Sequence, residues 1–171
     1  MKFTGESHLP RTDSPLQKLP QTAESLNSAS ARLNDAVDKL NSALKKLNLG
    51  VPAWIDISSS EEGPFSEVEQ IGYDKVDGKW GISLRKIFED QNKPDGEEEV
   101  TAWHFADAPR EMRIRAVKYF NELVEKLNSD AELTAQKIIE RATDAEELAA
   151  QISAAAEISA SNRASQKKGG K

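Results

Sequence analysis

The sequence predicts an α+β fold: an N-terminal helix, a four-stranded antiparallel β-meander, and a long C-terminal helical region that packs with the first helix. Three observations carry this expectation. The pair Leu-Asn recurs every seven residues, at Leu26-Asn27, Leu33-Asn34, Leu40-Asn41 and Leu47-Asn48, which is a helical period. An Asp77-Gly78 pair separates two runs that alternate apolar and polar residues, the composition of a tight hairpin. After Asp107 the apolar residues return at helical spacing.

A chain of 171 residues suits one domain with extensions. Residues 1–20, rich in Pro, Ser and Thr, are expected to be a disordered arm, 21–158 a single domain, and 159–171 a disordered polar tail. Hydrophobic residues make up 37% of the chain and charged residues 30%, below and above the usual globular shares, so much exposed surface is expected. The formal charge of −6 disfavours nonspecific attraction to nucleic acid or anionic lipid. Cysteine is absent, which excludes disulfides, thiolate nucleophiles and Cys-ligated zinc. No stretch has the apolar length of a signal peptide or a membrane span, so the chain is expected to be soluble and cytoplasmic.

The first helix is expected over 22–48. With Leu26, Leu33, Leu40 and Leu47 at d of a heptad, Ser30, Val37 and Leu44 fall at a, and Ala29, Ala36 and Ala43 at g. A free two-stranded coil carries charge at e and g; here those positions hold asparagine and alanine. The predicted buried face is therefore widened on the alanine side, as for a helix in a bundle, with the asparagines as border residues. Asn48, Gly50 and Pro52 end the helix.

Strands are expected within 54–105. Trp54–Ile57 reads as a short strand, SSSEEGP as a loop, and Val68–Phe88 as a hairpin pairing Val76 with Lys79, Tyr73 with Ile82, Ile71 with Leu84 and Glu69 with Lys86. Its core face carries Ile71, Tyr73, Trp80, Ile82 and Leu84, with the Lys75 stem beside Trp80. The other face sets Gly72 against Ser83 and Asp74 against Gly81. It reads as a solvated outer face, or as a shallow surface that a backbone or ligand can approach closely. After the loop QNKPDGEEE, Val100–Phe105 forms the last strand, with Trp103 and Phe105 on one face and His104 on the other.

Helices are expected over 108–158, started by Asp107 and Pro109. Their stripe is Ile114, Val117, Phe120, Val124, Leu127, Ile138, Ala142, Ala145, Ala149 and Ile152. Capping boxes at Ser129–Glu132 and Thr143–Glu146 suggest several helices, with a fold-back at Asn128-Ser129 or cover from a second protomer.

Chemistry-bearing constellations are few. The two histidines, His8 and His104, do not make a metal site, and no nucleophile elbow, P-loop or dinucleotide fingerprint is present. The acidic turn Asp95–Glu99 lacks the alternating ligands of a calcium loop. No catalytic residue, metal or cofactor is expected. Arg110, Arg113, Arg115 and Lys118 gather at a helix start, where cations oppose the dipole. They form an anion patch, or are neutralised locally, as by Glu111 with Arg115. Trp54, Tyr73, Trp103 and His104 are the candidate lining of a pocket between sheet and helices.

The expected function is a non-enzymatic interaction or assembly module that self-associates or docks another protein through its helical surfaces. The residues expected to carry it are Leu26, Leu33, Val37, Leu40, Leu44, Leu47, Ile138, Leu148 and Ile152. The alternatives are a nucleic-acid-associated regulator using the arginine patch, and a small-ligand-binding protein or enzyme using the pocket.

Overall fold

The computed structural model describes residues 15–93 and 98–168, with side chains described over 16–93 and 98–158. The chain divides into two compact units, one up to Leu47 and one from Asn48 onward.

The described part of the first unit is one helix, α1 (Pro15–Leu47). Of the arm expected over 1–20, residues 1–14 lie outside the described residues, and the remainder is helical. Proline explains both the expectation and its failure. Pro15 stands at the helix start, where its missing N–H costs nothing, whereas Pro20 lies inside the helix, where it gives up the bond to the Leu16 carbonyl and its ring crowds that carbonyl. The helix ends as expected, with Asn48 in the left-handed conformation at φ 49°. The least exposed positions are Ser30, Leu33, Asn34, Val37, Asn41 and Leu44, while Ala29, Ala36 and Ala43 are exposed. The stripe is thus widened on the asparagine side, not the alanine side. An amide can satisfy its polar groups at a half-buried border, whereas a methyl group adds little apolar area.

The second unit begins with β1 (Ala53–Glu62), β2 (Phe65–Val76), β3 (Lys79–Asp90) and β4 (Glu98–His104), an antiparallel meander in the order β1-β2-β3-β4. The β2–β3 hairpin turns at Asp77-Gly78, both at positive φ (48° and 79°), the conformation that selects Gly in a two-residue turn. Its register is the expected one throughout, from Val76↔Lys79 to Glu69↔Lys86. The Ser58–Glu62 segment, expected as loop, is the outer half of β1, paired with β2 as far as Glu62↔Phe65. An edge strand with water on both sides accepts serine and glutamate where a central strand would not. The register of β1 shifts between Asp56 and Ser58, a bulge at Ile57. Phe105, expected at the end of β4, instead lies in a 3₁₀ turn with Ala106 and Asp107.

Helices α2 (Arg110–Ala116) and α3 (Phe120–Lys168) follow, joined by a 3₁₀ turn over Val117–Tyr119. No break occurs at Asn128-Ser129 or at either capping box. A cap needs a residue outside the helix; here the Thr143 hydroxyl donates back to the Ile139 carbonyl at 3.1 Å, and the Asn128 amide donates forward to Glu132 at 2.9 Å. Both bonds are compatible with a continuing helix. The 49 residues of α3 span ~74 Å and extend into the tail expected to be disordered.

The core lies between one sheet face and the first turns of α2 and α3. Ala53, Ile57, Ile71, Tyr73, Ile82 and Leu84 are buried on the sheet side, and Phe105, Ala108, Met112, Ala116, Leu123 and Leu127 on the other. Tyr73 stacks on Trp80 at 5.5 Å between centroids, with Lys75 directly across from Trp80 in the register as expected, and Phe105 meets Phe120 at 5.9 Å. Ile114, Val117 and Val124, expected in the packed stripe, are exposed. The helix carries two apolar stripes about one residue apart in phase, and the one containing Met112, Leu123 and Leu127 faces the sheet.

Candidate interaction surfaces

Helix α3 is held at its base by polar contacts from α2 and the following turn. Arg115 forks onto Glu69 of β2, its Nη2 donating at 2.7 and 2.8 Å and its Nε at 3.2 Å. The Ser58 hydroxyl donates to the same carboxylate at 2.9 Å. The bulge at Ile57 turns its carbonyl toward the helices, where it accepts from the Tyr119 hydroxyl at 3.0 Å. With the apolar contacts of α3 on β1 and β2, these bonds fix the direction in which the helix leaves the sheet. None of Ser58, Glu69 and Tyr119 stands out in the sequence. Glu69 lies across from Lys86 as expected, yet Lys86 bridges diagonally to Glu67 at 2.7 Å.

Beyond Thr134 the helix changes character. Every described side chain from Ala135 to Ile158 is exposed, a length of ~36 Å, although the segment contains Ile138, Ile139, Leu148, Ile152 and Ile158. Isolated exposed leucines are ordinary; several branched aliphatics repeated along one helix are a docking feature. An open depression lined by Thr134, Lys137, Ile138, Arg141 and Ala142 begins this stretch. On α1 the expected interaction residues divide: Leu26, Leu40 and Leu47 are exposed, Leu33 and Leu44 half-buried, and Val37 buried.

The second sheet face is not the plain solvated surface of one expectation. The Trp54 ring lies over Gly72, where an added Cβ would come within 2.3 Å of Trp54 Cδ2. Its indole N–H donates to Asp74 at 2.9 Å, and the Arg85 guanidinium sits 4.1 Å from the ring centroid. Arg85 Nε donates to Gln70, whose amide donates to Asp56. Burial lowers the Arg85 pKa, while Asp74, Asp56 and Glu98 act in the opposite sense. The chain thus supplies its own backbone-approaching group at the glycine, a tryptophan from the neighbouring strand.

The expected pocket does not form among its four residues. Trp54 pairs with Gly72 and His104 with Ser83 on one face, whereas Tyr73 pairs with Ala53 and Trp103 with Leu84 on the other. Period-two alternation separates them. The cationic group is likewise dispersed: Arg115 is engaged by Glu69, Arg113 is buried, the Lys118 ammonium lies 4.8 Å from the Tyr119 ring centroid, and Arg110 is exposed. Arg115 is neutralised by Glu69, 46 residues away, rather than by Glu111 within the helix. His8 and Pro94–Glu97 lie outside the described residues, and Glu98 and Glu99 open β4.

Among the described residues no cluster of three His, Cys, Asp or Glu side chains could hold a metal ion, and no helix is long and apolar enough to cross a membrane. Compared with known proteins, the chain matches no family model, no curated protein and no solved structure.

Proposed function

We propose that this protein is a non-enzymatic assembly module, which self-associates or docks another protein through its helical surfaces. The observation that carries the reading is the distal half of α3, where Ile138, Ile139, Leu148 and Ile152 stand exposed on a helix that has left its own core behind. An isolated helix of this kind gains little from propensity alone and most from covering an apolar face. The rooted base, with Arg115 on Glu69 and Tyr119 on the Ile57 carbonyl, presents that face in a fixed direction, which lowers the ordering cost of association. The exposed apolar strip favours this reading over the arginine patch, of which Arg115 is engaged by Glu69 and Arg113 is buried, and over the pocket, whose four residues divide between two sheet faces.

Light scattering behind size exclusion, on the full chain across a hundredfold range of concentration, tests the reading. Mass above that of one chain, falling on dilution and lost in Ile138→Ser/Ile152→Ser, is the expected result. A monomer throughout, with no protein partner retained, would remove it.

A further inference from the structure

We infer that the distal half of α3 pairs in parallel with the same helix of another copy of this chain. The inference rests on the assembly reading and names its partner. Ile138, Ala142, Ala145, Ala149, Ile152 and Ala156 succeed one another by alternating steps of four and three, a seam sustained for nearly three heptads. All six are exposed. Alanine at most seam positions lets two helix backbones come close, and the isoleucines fill the space between alanine layers. Leu148 and Ile139 border the seam and widen the apolar strip.

Charge decides the orientation. With Ala142, Ala149 and Ala156 at a, and Ile138, Ala145 and Ile152 at d, Arg141 takes g and Glu146 takes e. In a parallel pair each g residue faces the e residue five places further along the other helix. Arg141 of each copy then meets Glu146 of the other, giving two attractive contacts by symmetry. An antiparallel pair overlapping the whole seam sets e against e and g against g. Glu146 would then oppose Glu146 of the second copy, and Arg141 would oppose Ala155. Within one chain Arg141 bridges to Asp144 at 3.0 Å, with both side chains more than half exposed; such a contact is readily exchanged for one across a helix pair.

The absence of cysteine allows a clean test on the full chain. Ala142→Cys and Ala149→Cys, made singly, are equilibrated in a glutathione redox buffer. In a parallel pair both positions face their own counterparts, and both variants are expected to give disulfide-linked dimers. No antiparallel register can align both. In the fully overlapped one, Ala142 lies ~15 Å along the axis from its counterpart, beyond the ~7 Å a disulfide spans. In parallel measurements Arg141→Glu should weaken association by roughly tenfold or more, and Arg141→Glu/Glu146→Arg should recover it. Both residues are exposed, so neither substitution touches the buried core of the monomer. An oligomer that crosslinks through only one cysteine or neither, or that ignores Arg141→Glu, overturns parallel pairing and leaves the assembly reading standing. A monomer at every concentration overturns parallel pairing, and a monomer that also retains no protein partner overturns the assembly reading as well.

Discussion

Replacing Gly72 by alanine tests the packing of the second sheet face most directly. The new Cβ would lie 2.3 and 2.4 Å from Trp54 Cδ2 and Cε3 and 2.6 Å from the Ala53 carbonyl oxygen. None of these is the far end of a flexible chain, so the ring must leave and the strands must shift. Overpacking of this kind costs ~1–3 kcal/mol. Ejecting the ring also gives up the Arg85 stack, ~0.5–1 kcal/mol, and the indole bond to Asp74, ~1 kcal/mol. Reduced freedom of the unfolded chain returns ~0.4–1 kcal/mol. The net expectation is a loss of about 2–4 kcal/mol, read as a lower urea midpoint by circular dichroism. Trp54→Ala in the same background should relieve the ring contacts but not the contact with the Ala53 carbonyl. The double-mutant cycle should therefore show coupling of at least ~1 kcal/mol with a residual cost for Gly72→Ala. A loss under ~0.5 kcal/mol with Trp54 in place would refute the packing argument.

Two further perturbations separate core from surface. Leu127, 2% exposed, and Leu148, 56% exposed, stand on the same helix; Leu127→Ala should cost ~2–5 kcal/mol in urea unfolding, and Leu148→Ala, measured at concentrations too low for association, less than ~0.5 kcal/mol. Burial raises the pKa of the Tyr73 phenol above its ordinary value, so the folded state holds this proton more tightly than the unfolded state. The corresponding stability is present below pH ~10 and is lost as pH rises through the folded-state pKa; Tyr73→Phe should flatten that alkaline decline in urea midpoints, and an unchanged slope would contradict the burial argument.

Much of the architecture was legible because it depends on neighbours in sequence. Asp77-Gly78 determined not only a turn but every cross-strand pair from Val76↔Lys79 to Glu69↔Lys86, since a two-residue loop leaves no freedom of register. Where the decision lay elsewhere in the chain, local reading failed. The serines after Ile57 look like a loop until β2 is present to pair with them. Ser129 and Thr143 look like caps because a capping box is a local pattern, whereas continuity depends on the whole helix. The contacts that root α3 join Glu69 to Arg115, 46 residues apart, and Ile57 to Tyr119, 62 apart; neither leaves a mark in composition or spacing.

The part of the expected C-terminal stripe that stays exposed, Ile114, Val117 and Val124 while Leu127 is buried, has a functional meaning. Periodicity identifies apolar faces but does not say what covers them, and α2 and α3 have more than one such face. Met112, Ala116, Leu123 and Leu127 meet the sheet. Val117, Val124, Ala131, Ile138, Ala145 and Ile152 recur at intervals of seven, and all except the half-buried Ala131 are exposed. A strict seven-residue repeat drifts by ~20° per heptad around a straight helix, so it cannot keep to one side of a flat sheet. It stays in register only with another helix that winds around it. The first stripe therefore serves the fold and ends where the sheet ends, near Thr134, whereas the second passes that limit without changing period. A helix selected only to close the core would have no reason to maintain the seven-residue repeat for about five further turns beyond Thr134, and that continuation is the strongest physical reason to look for the function in what α3 meets.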